Sequence, residues 1–294
     1  MDVSTIKENR VIILFQAYGT EYCQQATYSI FSLLRQHNWD PYFQIVVLTD
    51  DRSQFAELEQ HRWVHIIIPT SDLLREWDRY PKFFLRRKIS GFQHIQQLFR
   101  SAVIEIDVDT VFYSKIDKLV NMVSAQDLVL HKKEYRMSYS RKSRPSLLPG
   151  DRVYTTPSQK QFTVNNDTYM WNSGLIGLAW ERAAVMNDVL SVADQIFEDC
   201  NDTLSEQLAF SVVFGTHGPL KEPGEDIWHY WRFKGLMSDY LVSKWPVDLG
   251  FEQQKLVVAK HSPRLHVYTR RYVNGVKRRL GIFFKKRNPG AGSF

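Results

Sequence analysis

The chain has 294 residues, 44% of them hydrophobic and 24% charged, a composition typical of a soluble globular protein. This length fits one large α/β domain or two small ones, and neither an export signal nor a bilayer-spanning run of ~20 apolar residues is predicted. The two cysteines, Cys23 and Cys200, fit neither a zinc site nor a redox pair, so we interpret them as buried thiols of a reducing cytoplasm.

The first hundred residues alternate between apolar runs typical of buried strands and amphipathic helical patterns. Strands are predicted at 11–19, 43–50 and 64–69, and helices at 20–36, near 53–61 and at 83–99. Thr20 is a candidate N-cap for the first helix. This alternation predicts an α/β fold with a mainly parallel sheet and helices on both faces, a three-layer Rossmann-like arrangement.

The fourth predicted strand, VIEIDVDTVF at 103–112, carries three carboxylates in an otherwise apolar run. If the run stays extended, Glu105, Asp107 and Asp109 point to one face, where they repel one another. In open α/β sheets ligands lie at the carboxyl ends of strands, and Asp107 and Asp109 come late in this strand. Two carboxylates at that edge offer the hard oxygen ligands that Mg²⁺ and Mn²⁺ prefer, with positions left for substrate phosphates. The alternatives are a solvated acidic face, or aspartates paired with arginines.

The second half predicts strands at 127–131 and 170–178 and helices at 183–198 and 204–214. Between the two strands, residues 132–170 are polar, basic and without a clear period, which predicts a mobile functional loop or a disordered segment.

Several separated blocks between residues 11 and 235 resemble glycosyltransferases of the GT-A fold. The nearest group is the retaining one that includes glycogenin and bacterial lipopolysaccharide galactosyltransferases, glycosyltransferase family 8. The blocks follow the family order: VIILFQAYGTEYCQQATYSIFSLL, VVLTDD, RRKISGF, VIEIDVDTVF, MWNSGLIGL, SEQLAF and IWHYWRFKG. The acidic strand resembles the DxD strand of that group.

The resemblance implies a role for each matching position. For the nucleotide, it implies a turn that cradles the nucleoside (Gln16, Ala17, Tyr18), a basic residue that reaches the donor (Lys88, or Arg87) and a phosphate-binding lysine (Lys234). For the metal, it implies the ligands Asp107, Asp109 and His229. For the donor sugar, it implies an amide that holds it (Asn172) and an acidic–Gln pair beside the anomeric carbon (Glu206, Gln207).

Three features depart from the family pattern. Glu105 replaces a residue that is usually apolar, Glu206 replaces an Asp, and the segment after His229 lacks the family continuation Gly-x-x-Lys-Pro-Trp. Five positions also have an ordinary structural interpretation: a turn or a strand end for Asn172, packing in an aromatic cluster for His229, a solvated base for Lys88, and helix surface for Glu206 and Gln207.

Taken together, the motifs predict a metal-dependent transfer of a hexose from a nucleotide-diphosphate sugar, with UDP as the family default, to a glycan or lipid-linked acceptor. Mn²⁺ or Mg²⁺ is the expected cofactor, and retention of configuration is implied by the resemblance. Two rival functions remain: a haloacid-dehalogenase-type phosphatase, whose Asp-x-Asp motif is similar, and a non-catalytic nucleotide-sugar-binding protein of the same fold.

The last segment, 253–294, holds eleven Lys or Arg and no Asp or Glu, interleaved with Tyr, Leu, Ile and Phe. We therefore divide the chain into a catalytic domain at 1–252 and a basic-aromatic extension at 253–294. The extension is either solvated and partly disordered, or it binds an anionic membrane surface, where each basic residue contributes ~1 kcal/mol. Nucleic acid is disfavoured as a partner because no nucleic-acid-binding motif accompanies the charge. The predicted location is the cytoplasm, with peripheral attachment to the inner membrane face.

Overall fold

The computed structural model describes residues 10–139, 151–245, 249–260 and 262–279. The chain divides into two compact units, Met1–His229 and Tyr230–Phe294. None of the helices in the described ranges has the length and hydropathy needed to cross a membrane.

The strands follow the predicted positions and add several that the sequence pattern did not predict. They are β1 Ile12–Ala17, β2 Gln44–Thr49, β3 Val64–Ile67, β4 Val103–Ile106, β5 Thr110–Phe112, β6 Leu128–Arg136, β7 Arg152–Thr155, β8 Gln161–Val164, β9 Tyr169–Leu178, β10 Leu220–Lys221 and β11 Ile227–His229.

The helices of the first unit are α1 Thr20–Gln36, α2 Ala56–Glu59, α3 Ser71–Trp77, α4 Arg86–Phe99, α5 Asp117–Ser124, α6 Val185–Cys200 and α7 Ser205–His217. Helix α1 begins as predicted, but Thr20 is not its cap. Gly19 precedes the helix at φ +86°, a backbone conformation that glycine adopts without strain, and its N–H bonds the Asp50 carboxylate at 2.9 Å.

Seven strands form one sheet in the order β10-β6-β9-β4-β1-β2-β3. Every neighbouring pair is parallel except those of β9, which runs antiparallel to both β4 and β6. Alternate strand residues such as Ile12, Leu14 and Val46 share a core with helices α4, α6 and α7, while α1 and α5 contact the sheet through other residues. The predicted α/β fold with a mainly parallel central sheet is therefore confirmed.

The predicted single strand 103–112 is wrong, because the chain bends between β4 and β5. The bend covers residues 107–109 and carries both aspartates. It forms because β5 leaves the main sheet and pairs antiparallel with β11, which brings Thr110 opposite His229. The bend therefore places the two aspartates at the edge of the sheet. In an uninterrupted strand, the chain would have continued beyond this edge.

The polar segment 132–170 is more structured than predicted. Strand β6 extends to Arg136, and β7 and β8 form a hairpin. The hairpin is tied to helix α6 through the buried Asp188, which accepts hydrogen bonds from Lys160 Nζ at 2.9 Å and Ser158 Oγ at 3.1 Å. Residues 140–150 lie outside the described residues, and the mobility predicted for the segment stays a prediction.

Replacing Asp188 with asparagine should lower the free energy of unfolding by about 1.5–3 kcal/mol, the usual contribution of a hydrogen bond to a charged group. Burial raises the pKa of Asp188, but the bonds from Lys160 and Ser158 outweigh it and leave this pKa below the normal value. A lowered pKa means that the stabilisation is present at neutral pH and is lost on acidification through the range below the normal carboxyl pKa. Urea unfolding at pH 7 and near pH 3 should show a difference from wild type that shrinks at the lower pH. Asp72→Asn, an exposed control on α3, should leave stability nearly unchanged.

The second unit contains α8 Lys234–Lys244, α9 Phe251–Lys260 and α10 Pro263–Arg279. Within it, the Tyr268 ring packs edge-on against Phe233, and Arg270 pairs with Asp239 at 3.3 Å. The helices replace the partly disordered end considered for residues 253–279. Residues 280–294 lie outside the described residues, and the division at residue 252 remains a prediction.

Candidate metal centre

Three side chains predicted as metal ligands converge at the bend after β4. One ligand atom from each of Asp107, Asp109 and His229 lies within 4.8 Å of the other two. His229 Nε2 is 3.1 Å from Asp109 Oδ1 and 3.6 Å from Asp107 Oδ2. The cluster forms because β11 holds His229 opposite the first residue of β5, directly after the two aspartates.

Hydrogen bonds on the far side of the imidazole fix its tautomer. Asn172 Oδ1 accepts from the Gly174 N–H at 2.9 Å and lies 3.0 Å from His229 Nδ1. Because this oxygen only accepts, His229 Nδ1 carries a proton, and the other ring nitrogen, Nε2, faces the aspartates, where its lone pair can bind a cation. A neutral imidazole oriented by an outer hydrogen bond is the usual state of a metal-bound histidine.

A divalent cation fits this set of donors. Two carboxylates and one imidazole nitrogen meet within 4.8 Å of one another, and Lys88 pairs with one of the carboxylates. A cation among the three atoms would offset the repulsion that remains between the two carboxylates. Oxygen-rich sites with one imidazole suit Mn²⁺ or Mg²⁺, which keep other positions for water or phosphate oxygens. Asp107, Asp109 and His229 would hold such an ion.

Gly174 makes room for His229 beside strand β9. A Cβ at this position would lie 2.2 Å from His229 Nδ1 and 2.3 Å from its Cε1, closer than real atoms approach. The glycine of the Asn-Ser-Gly sequence therefore admits the imidazole, a role that the sequence alone did not assign.

Lys88 lies buried beneath the cluster among carboxylates. Its Nζ is 2.7 Å from Asp107 Oδ1, 3.5 Å from Glu206 Oε1, and donates to the Ser173 carbonyl at 2.7 Å. Burial alone would lower the pKa of Lys88, yet Asp107, Glu206 and Glu105 raise it above its usual value, so the side chain stays charged. The solvated-surface interpretation of Lys88 is therefore wrong.

Replacing Lys88 with methionine should lower the free energy of unfolding by about 3–5 kcal/mol, the usual cost of leaving buried charges without their partner. The measurement is urea unfolding at pH 7 in chelator. The deficit should shrink on acidification, because protonation of Glu206, whose pKa is raised by burial, removes one of the unpaired charges. Lys82→Met, at an exposed position before α4, is the matched control. Equal losses in the two variants would contradict the role given to Lys88.

Glu105, the unexplained third carboxylate, has a partner in Gln16. Gln16 Nε2 donates to Glu105 Oε1 at 2.9 Å and to the Lys88 carbonyl at 2.8 Å. Burial raises the pKa of Glu105 well above its usual value, with Lys88 opposing and Asp107 and Glu206 adding to the rise. The Glu105 carboxyl is therefore harder to ionise than a free carboxyl, and it is not among the three clustered side chains.

The acidic–Gln pair on α7 is buried, so its interpretation as helix surface is wrong. Ser173 Oγ donates to Glu206 Oε2 at 3.0 Å, and burial raises the pKa of Glu206 despite Lys88. Gln207 Nε2 donates to Glu134 Oε2 at 3.0 Å.

Glu134 on β6 is a site residue that the sequence pattern does not indicate, because it lies in the polar segment 132–170. Its second oxygen, Oε1, accepts from Asn172 Nδ2 at 3.3 Å, so one carboxylate joins two of the predicted donor-site residues. The only sequence signal is its place three residues after the end of the strand predicted at 127–131. Asn172 is the fourth residue of the ten-residue strand β9, so the turn or strand end considered for it is wrong.

The remaining predicted positions have no tested role. Ala17 ends β1 and is fully buried, and the Tyr18 ring lies under the Arg87 guanidinium at 4.5 Å. Burial raises the pKa of Tyr18, so its hydroxyl stays protonated. Lys234 begins α8 in the second unit. The nucleoside-cradling role of residues 16–18 and the phosphate-binding role of Lys234 stay predictions.

No family model matches the chain, and no curated protein is detectably similar in sequence. The solved structures that are similar to this chain include three glycosyltransferases. Mouse xyloside xylosyltransferase 1 in its apo form is 14% identical, with 73% of this chain and 84% of that chain covered and a TM-score of 0.44. The galactosyltransferase LgtC, in complex with donor and acceptor sugar analogues, is 12% identical, with 68% of each chain covered and a TM-score of 0.45.

The bifunctional glycosyltransferase WbbM in its apo form is 13% identical, with 90% of this chain and 51% of that chain covered and a TM-score of 0.45. At TM-scores below 0.5 these similarities carry no conclusion about what this chain binds. The chain is similar in structure to these glycosyltransferases, at low sequence identity.

Proposed function

We propose that this protein is a metal-dependent glycosyltransferase. It would move a hexose from a nucleotide-diphosphate sugar, with UDP as the favoured nucleotide, to a glycan or lipid-linked acceptor with retention of configuration. The observation that carries the proposal is the Asp107–Asp109–His229 cluster, set beside the buried Lys88 and the Glu206–Gln207 pair at one edge of the sheet.

The metal ion and Lys88 would have different electrostatic roles. A bound Mn²⁺ or Mg²⁺ supplies positive charge that stabilises a leaving diphosphate. Lys88 keeps its own charge through Asp107 and Glu206, and so holds the Asp107 carboxylate in place for the ion. This fixed arrangement needs little reorganisation when charge develops on the substrate.

Gln207 would face the sugar. Because its amide nitrogen donates to Glu134, the carbonyl oxygen is the atom it can offer to positive charge that develops at the anomeric carbon. Glu206 has its oxygens directed to Ser173 and Lys88, which makes it a positioning group with no free carboxylate for covalent attack. Retention would then proceed by attack on the same face as the leaving phosphate, as the family resemblance implies.

A donor screen tests the proposal. UDP-, GDP- and other nucleotide sugars should raise the melting temperature in the presence of Mn²⁺ and not in EDTA, and at least one should be slowly hydrolysed or transferred. If no donor binds, the proposal fails. Hydrolysis of a generic phosphate ester with Mg²⁺ and without a nucleotide sugar would favour the phosphatase. Nucleotide binding without turnover across many acceptors would favour a binding protein.

We further propose that helix α10 attaches the protein to an anionic membrane surface from the cytoplasmic side. Leu265, Tyr268 and Tyr272 are spaced three and four residues apart, so they share one face of the helix, and all three are exposed. Arg264 and Arg271 flank this face, and the segment from 253 onward contains no acidic residue. Basic amphipathic helices of this kind lie in the interface of anionic bilayers.

Vesicle flotation tests this attachment. The protein should float with phosphatidylglycerol-containing vesicles and not with phosphatidylcholine alone. Leu265→Ser should reduce the bound fraction by about tenfold or more, because burying a leucine side chain contributes about 1.5–3 kcal/mol. Leu98→Ser, at an exposed position on α4, should have no effect. Equal flotation of both variants would contradict membrane attachment by this face.

A further inference from the structure

The first unit carries a cleft of about 400 Å³ that contains none of the metal-centre residues. Helix α6 forms one wall. Arg79 and Tyr80, just before α4, and Arg86 in its first turn form the other, and Pro157 of the β7–β8 turn closes one side. This volume lies in the range of small-ligand sites.

The α6 wall is a continuous polar face of the helix. Ser191, Asp194, Gln195 and Glu198 line it at spacings of three, one and three residues, with Leu190 as an apolar neighbour. Hydroxyl, carboxylate and amide groups therefore line one side of the cleft. Gln195 Nε2 already donates to Ser191 Oγ and to the carbonyls of Ser191 and Thr155, so a ligand hydroxyl would use the remaining donor and acceptor positions of this wall.

The walls are held rigidly. Arg86 makes two bonds to Asp194, Nε to Oδ1 at 2.7 Å and Nη2 to Oδ2 at 3.1 Å, and its Nη1 donates to the carbonyls of Glu76 and Trp77. The Tyr80 hydroxyl donates to Glu198 across the cleft. A preorganised wall lowers the entropy cost of binding.

The charges of the side chains that line the cleft indicate which class of ligand it can bind. Arg79 and Arg86 are matched by Asp194 and Glu198, so the cleft has no net charge to attract a phosphate or a cation. The lining therefore offers neutralised carboxylate and guanidinium groups and an amide. They lie beside the Tyr80 ring and the apolar side chains of Leu190 and Pro157. A neutral, hydroxyl-rich molecule with apolar C–H faces suits such a lining.

We propose that this cleft binds one or two neutral sugar residues, as a second carbohydrate site. It goes beyond the proposed transferase function, since it depends on neither metal nor nucleotide. In a transferase it would hold part of a glycan away from the residue that reacts.

Saturation-transfer NMR in EDTA, without nucleotide, tests the site with lactose, cellobiose and maltotriose as probes. At least one should bind with a dissociation constant of about 1 mM. Ser191→Trp fills the cleft and should weaken binding at least about tenfold. Arg79→Ala, which removes an exposed donor, should weaken it by about threefold. Gln97→Trp adds the same ring to the exposed side of α4 and should bind like wild type.

The proposal is overturned if none of the three sugars binds the wild type, or if Ser191→Trp binds as tightly as Gln97→Trp. Binding of inorganic phosphate in place of sugar would also overturn it, because the charge balance excludes an anion. The sugar-binding test contains neither metal nor nucleotide, so its result is independent of the donor screen. A negative result in one experiment does not contradict the proposal that the other one tests.

Discussion

Asp109→Asn should abolish metal binding while leaving the apo protein as stable as wild type, or more stable. The buried Asp109 carboxylate stands with Asp107 around one imidazole, so removing a charge relieves repulsion in the absence of a cation. The affinity for Mn²⁺, measured by calorimetry, should fall by at least about 100-fold, because loss of even an outer partner of a metal ligand costs about 10- to 100-fold.

Melting curves separate the two effects. Mn²⁺ should raise the melting temperature of wild type and of the exposed control Asp72→Asn, and leave that of Asp109→Asn unchanged. Donor turnover should be lost together with metal binding. If Asp109→Asn still binds Mn²⁺ with wild-type affinity, the acidic bend is not a metal centre.

Gly174→Ala should have the second large effect, through His229. The added Cβ would overlap the imidazole and lie 2.9 Å from Asn172 Oδ1, so His229 must leave its place beside Asp109. We expect the free energy of unfolding to fall by about 1–3 kcal/mol, as for other overpacked sites, and Mn²⁺ affinity to fall by about 10- to 100-fold.

A double mutant identifies the cause. With His229→Ala in place, the methyl group of Gly174→Ala finds space, so its cost in stability should largely disappear and the two changes should not be additive. Gly215→Ala in α7, where an added Cβ meets nothing within 4 Å, should stabilise the protein by about 0.5–1 kcal/mol. Additive losses from Gly174→Ala and His229→Ala would contradict the steric explanation.

The main sheet and its helices were predictable because their patterns are local. The runs that became β1, β2, β3 and β9 are mostly apolar, and such runs are typical of strands buried in a sheet. Helix α1 has the predicted bounds for the same reason, since its apolar positions repeat at helical spacing. Short or polar elements such as the β7–β8 hairpin carry too little pattern, and here contacts with α6 hold them.

The site was predictable in its chemistry and only partly in its arrangement. Two carboxylates one residue apart after an apolar strand indicate a cation site, and that inference needs only local sequence. The bend that aims them depends on β11, more than a hundred residues later along the chain. The same holds for Glu134, whose bonds to Asn172 and Gln207 join three separate elements.

The sequence by itself determined the α/β alternation, the acidic pair and the basic, acid-free end of the chain, because composition and periodicity are local properties. Only the tertiary structure decided that VIEIDVDTVF bends after four strand residues, that Gly174 admits His229, and that Glu105 bonds Gln16 below the metal ligands. The physical reason is that hydrogen-bond partners and steric clearances arise between residues distant in sequence, once the sheet has brought them within a few ångströms.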